Sequence, residues 1–230
     1  MKIIVTSLVL VASLLFSVSV AGNALPVAGP ATHPEIEVAP QQEDGWAAIT
    51  TKDGILFVWN VRGLYFTLSL KGKQVKPVDD PDHIFFNVDG RILQIQVASI
   101  NNFAPDAKQK KLDDKSILAA HRDWEAKFIE GLLKSKVTVQ TFNAKLSDGN
   151  QALMWQFDMP EGLKASAKKQ LYLTVVRNDH VLMLNSEATA TTSDSDGRKF
   201  LLETIATFKP SPTPIDVQKL SESIRKGVAP

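Results

Sequence analysis

Ile84-Phe-Phe-Asn-Val-Asp-Gly-Arg-Ile-Leu-Gln-Ile-Gln-Val97 is the stretch that decides the fold class of this 230-residue chain. Two β-rich apolar runs flank Asp89-Gly90, a dipeptide suited to the positive φ angles of a tight type I′ turn. After the turn, Ile92, Gln94 and Gln96 alternate with Leu93, Ile95 and Val97, the period of a strand with two unlike faces. Strands joined by so short a turn are antiparallel.

Working outward, Ile55–Trp59 and Leu64–Leu70 are further β-rich runs upstream. Downstream, Asp113 or Asp114 is placed to cap a helix whose apolar stripe is Ile117, His121, Trp124, Phe128 and Leu132. Gly131 is a mild break near its end. Two hairpins follow: Val137–Leu146 with Gln151–Phe157 across Asp148-Gly149, and Leu171–Arg177 with His180–Leu184 across Asn178-Asp179. A last helix begins at Ser193, carries Asp194 and Asp196 in its first turn, and turns Phe200, Leu201, Ile205 and Phe208 inward. The expected fold is therefore α+β, an antiparallel sheet built of hairpins and covered by two amphipathic helices. It occupies residues 45–209 as one domain.

The flanks read differently. Lys2 precedes a charge-free apolar run from Ile3 to Val20, and small residues follow it, the pattern of a secretory signal over 1–24. Cleavage is expected after Ala21 or Ala24; retained, the run is about long enough to serve as a membrane anchor. Residues 25–44 carry Pro26, Pro30, Pro34 and Pro40 and read as a Pro/Ala-rich tether. Residues 210–230 read as a second Pro-rich tail, with room for a short helix over Asp216–Arg225. The protein is thus expected outside the cytoplasm, periplasmic or extracellular.

Composition excludes several chemistries. Without the signal the chain has 25 basic and 25 acidic residues, no surplus of cations with which to displace counterions from phosphate, so nucleic acid is not an expected partner. There is no cysteine, which removes thiol nucleophiles, thiolate zinc sites and disulfide staples together. No Gly-x-Ser-x-Gly elbow and no glycine-rich phosphate loop occurs, and the Ser166/Lys169 and Ser223/Lys226 pairs have no supporting context.

Of the histidines, His33 lies in the tether, His121 in the apolar stripe and His180 beside a turn, where it is expected in solvent. Asp79-Asp80-Pro81-Asp82-His83 concentrates oxygen and nitrogen ligands but reads as an acidic loop entering a strand. Thr192–Gly197 fails the spacing of a calcium loop, and its acids suit a helix start. The lysines at 71, 73 and 76 and at 108, 110 and 111 read as solvated faces. Trp59, Trp124 and Trp155 are expected in the core. Trp46, beside the tether, is expected to be partly exposed and is the candidate partner surface. No catalytic, metal or cofactor site is expected.

The second half carries a resemblance. A helix ending near Leu133 precedes Gln151-Ala-Leu-Met-Trp-Gln-Phe157 and Leu171-Tyr-Leu-Thr-Val-Val-Arg-Asn-Asp-His-Val-Leu-Met-Leu-Asn-Ser-Glu187, and a terminal helix ends at Phe208 before a proline break. Over roughly residues 50–209 this order resembles the PsbP-like superfamily, which takes in Ran-binding Mog proteins, plant PsbP and DcrB-like envelope proteins. The resemblance implies a layered α+β domain that works as an accessory or binding module and has no shared catalytic constellation. The expectation is an exported, non-enzymatic envelope protein acting by protein–protein contact, with an envelope protein as partner. An exported hydrolase with dispersed carboxylates and a carrier with a pocket between sheet and helix are the alternatives.

Overall fold

The hairpin around Asp89-Gly90 forms as read. In the computed structural model, which describes residues 45–61, 63–146, 149–160, 167–189 and 191–227, Asp89 has φ 51° and Gly90 φ 85°. The expected signal and tether, Asp148 and Ser166 lie outside the described residues. In chain order the elements are β1 (Gly45–Thr51), β2 (Gly54–Val61), β3 (Leu64–Lys71), β4 (Val75–Val78), β5 (Ile84–Val88), β6 (Arg91–Ser99), α1 (Asp114–Leu133), β7 (Gln140–Lys145), β8 (Gln151–Asp158), β9 (Ala167–Arg177), β10 (His180–Thr189), α2 (Asp194–Ile205), β11 (Lys209–Ser211) and α3 (Val217–Arg225).

All strand pairs are antiparallel. They make a seven-stranded sheet in the order β4-β5-β6-β10-β9-β8-β7 and a four-stranded sheet in the order β1-β2-β3-β11. The α+β class and the hairpin construction stand. The layering is richer than the sequence suggested, with a second sheet among the described residues, and the short helix read over Asp216–Arg225 forms as α3, capped by Asp216.

Alternation along the strands explains the layers. Phe57, Phe66, Leu68 and Leu70 of the smaller sheet meet Phe86, Leu93, Ile95, Leu173 and Leu184 of the larger one, and Leu201 and Ile205 of α2 join them. Leu153, Trp155, Phe157, Tyr172 and Met183 point the opposite way and pack under α1. Ile49, Leu56 and Val58 on the outer face of the smaller sheet are covered by Ile215, Val217, Leu220 and Ile224. The order is α3, small sheet, large sheet, α1, with α2 lying beside β3 against β9 and β10. Each fully buried large side chain contributes about 1.5–3 kcal/mol by leaving water.

The segment read as a Pro-rich tail thus belongs to the fold. Lys209–Ser211 pairs with β3, and Asn60 fixes the entry to α3, donating from Nδ2 to the Ile215 carbonyl at 2.7 Å and accepting from the Ile215 N–H at 2.9 Å.

Helix starts follow the capping residues named from sequence: Asp113 accepts from the Ser116 N–H at 2.9 Å and Ser193 from the Asp196 N–H at 3.1 Å. The seam of α1 is rotated from expectation. Its buried positions are Ile117, Leu118, His121, Glu125 and Ile129, while Trp124, Phe128 and Leu132 are only half-buried.

Asp89 also ties down the neighbouring turn. Its carboxylate accepts from the Lys73 N–H at 3.1 Å and the Gln74 N–H at 2.7 Å, closing the connection between β3 and β4. Asp89→Ala is expected to lower stability by about 1 kcal/mol, read as a lower urea midpoint with an unchanged slope.

Candidate functional site

Trp46 lies near the start of β1, the edge strand of the smaller sheet. Its register opposite Trp59 turns the indole toward the other sheet. There its ring lies 5.9 Å from Phe57 in a stacked pose and 6.0 Å from Phe86 edge-on, and Phe57 and Phe86 are themselves 5.8 Å apart. Phe57 and Phe86 are fully buried, whereas Trp46 is 42% exposed. Trp46 is therefore the outermost ring of an aromatic stack that closes the gap between two sheets. Such a ring combines a large apolar area with few rotatable bonds, a favourable combination for contact with another protein.

The neighbouring edge belongs to β4. Pro77 is opposite Phe86 and so shares the face that meets the Trp46 stack, whereas Val78, opposite Phe85, points to the other face of the large sheet and is 39% exposed. Pro77 is tolerated because an edge strand has one side without a ladder. A third exposed apolar side chain, Phe142 at 39%, sits on β7, the opposite edge of the large sheet, under the Arg198 guanidinium at 5.1 Å. The large apolar side chains that remain exposed among the described residues are thus all on edge strands.

The titratable candidates are placed as follows. Asp80 Oδ1 accepts from the Asp82 and His83 N–H groups, both at 3.0 Å, and lies 3.0 Å from His83 Nδ1; the acidic stretch is a turn, as read. His180 is half-buried and not in solvent, and burial lowers its pKa. The reason is that β10 continues well past the turn and packs in mid-sheet. His121 is fully buried, neither ring nitrogen has a partner, and burial lowers its pKa to about 4. Its neighbour is Phe103, edge-on at 5.0 Å.

Glu125, one turn along α1, is 3% exposed and is not singled out by sequence, since it lies off the stripe through Trp124, Phe128 and Leu132. It faces Tyr172, whose pKa is raised, first by burial and then by that carboxylate. Tyr172 stacks on Trp155 at 3.8 Å.

Thr192–Gly197 is the start of α2. Lys169 Nζ lies 2.8 Å from Asp194 and 3.4 Å from Asp158. Gln156 donates to Asp194 at 3.3 Å and accepts from Arg198 at 2.9 Å. This network ties the helix to the sheet, and the bond from Lys169 holds the Asp194 carboxyl below its usual range. Among the described residues, no group of three or more His, Cys, Asp or Glu side chains is arranged to hold a metal ion, and no helix is long and apolar enough to cross a membrane.

No family model matches the chain, and no curated protein does. Among solved structures it is similar to the solution structure of cyanobacterial PsbP (CyanoP) from Synechocystis sp. PCC 6803. The identity is 12% and the TM-score 0.38, over 81% of this chain and 99% of that one. At that identity no residue role is carried across.

Proposed function

We propose that the protein is an exported, non-enzymatic accessory or binding protein of the cell envelope, acting through protein–protein contact along the edge formed by β1 and β4. The observation that carries this reading is the position of Trp46: a 42% exposed indole on an edge strand, held against two buried rings, Phe57 and Phe86. An edge strand offers a row of backbone donors and acceptors, so an extended segment of a partner can add to β1 while the indole takes an apolar side chain. Export is supported by the pattern of residues 1–24, and the balanced charge of the remainder favours a protein over a polyanion as partner.

The test is capture from envelope extract with the chain beginning at Leu25 as bait, in parallel with Trp46→Ala and Phe142→Ala. One envelope protein is expected at stoichiometric yield, with binding weakened about tenfold or more by Trp46→Ala and unchanged by Phe142→Ala on the far edge. A melting temperature for each bait confirms folding. Equal recovery by all three baits, or none by any, would overturn the reading.

A further inference from the structure

Beneath the end of α3, away from the Trp46 edge, a half-open groove of about 390 Å³ runs between that helix and the outer face of the small sheet. Its apolar wall comes from Leu56 and Ile224, and its rim carries Lys52, Lys71 and Asp53. Arg225 and Lys226 directly follow Ile224, and Gly227 returns to the lining. All four cations are exposed, and none has an ion pair with a described residue. With Asp53 and the exposed Glu222, four positive groups stand against two carboxylates around this end of the groove, a local surplus in a chain that otherwise balances its charge.

From this we infer that the groove binds an amphiphilic anion, an acyl or alkyl chain ending in a carboxylate or phosphate. The volume lies in the range of small-molecule sites, about 300–1,000 Å³. An apolar tail gains by leaving water against Leu56 and Ile224. An anionic head kept at the rim stays hydrated and meets cations on flexible stems, so it escapes the cost of burying a charge. One effect opposes this: the carbonyl end of a helix is negative and repels an anion. Here that end is partly closed, because the Lys226 N–H donates to the Glu222 carbonyl at 3.1 Å and the Gly227 N–H to the Ile224 carbonyl at 3.0 Å. Each exposed cation is worth little alone; the surplus acts together and at low salt.

The head could come from a free amphiphile or from a membrane lipid, and the experiment separates these. Decanoate and the neutral decanol are titrated into isotope-labelled protein, followed by amide shifts, with Lys52→Glu/Lys71→Glu and Asp53→Asn as variants. Decanoate is expected to shift Leu56, Leu70 and Ile224 saturably. Its affinity falls about tenfold in the double variant and rises in Asp53→Asn, while decanol is indifferent to both.

Sedimentation with phosphatidylglycerol vesicles, lost in the double variant, identifies a lipid head; decanoate binding without sedimentation identifies a free amphiphile. Both support the site. Shifts confined to other surfaces, equal decanoate affinity in both charge states of the rim, or no saturable binding at millimolar decanoate would overturn it. Trp46→Ala leaves these titrations unchanged, so they stand or fall apart from the partner edge.

Discussion

Gly54→Ala is expected to lower the unfolding free energy by about 4 kcal/mol. Gly54 opens β2 with φ 137°, a backbone region that L side chains rarely enter. A Cβ there would also collide with the Leu70 carbonyl oxygen and press on Val75 Cγ2 at 3.1 Å. The first obstacle is backbone, fixed by the β2–β3 ladder in which Gly54 faces Lys71 and Ile55 faces Leu70. Relief therefore means breaking that pairing at its end. Urea unfolding measures it: the midpoint should drop steeply with little change in slope, and a loss under about 1 kcal/mol would mean the turn is built differently.

His121→Leu should remove about 3 kcal/mol of acid sensitivity from the domain. In the unfolded chain an imidazole titrates near 6.5; in the folded protein, buried against Phe103 and without a hydrogen-bond partner, it titrates at about 4. Between those values the unfolded state binds a proton that the native state refuses, so protonation favours unfolding. The stabilisation is whole above pH 6.5, declines as pH falls, and is fully lost below about 4. Unfolding measured across that interval should show a slope in the wild type that is flatter by one proton in the variant. Parallel slopes would mean that the native imidazole is protonated more readily than its burial implies.

The local signals were legible where a residue's own chemistry dictates a conformation. Asp89-Gly90 marked a hairpin because few other pairs accept its φ angles, and Asp113 and Ser193 marked helix starts because each supplies an oxygen to a bare N–H. The edges were less legible. β4 and β11 carry Pro77 and Pro210, which argue against a strand unless one already knows that the strand has a bare side. β1, as Gly-Trp-Ala-Ala-Ile-Thr-Thr, has too little alternation to stand out from the preceding tether. Without these strands the hairpins suggested one sheet, and the split into two stayed hidden.

The candidate site divides in the same way. Trp46 can be named because it stands beside the tether, but its setting on Phe57 and Phe86 depends on register between distant strands. Glu125 stayed hidden because the stripe of α1 was drawn through Trp124, Phe128 and Leu132, so the acid fell off the face that was read as buried.

The pairing of β11 with β3 has a consequence for how the chain is made. Thr67 meets Lys209, and Asn60 meets Ile215 across a separation of 155 residues, so strands synthesised early wait for partners that emerge late. A ribosome-bound chain can assemble the β8–β10 meander but leaves the outer face of β2 bare, with Leu56 and Val58 unsheltered until α3 arrives. Contacts this far apart in sequence close slowly. A nascent chain of this design stays pliant while it is being extended, and it stays vulnerable to aggregation for the same length of time.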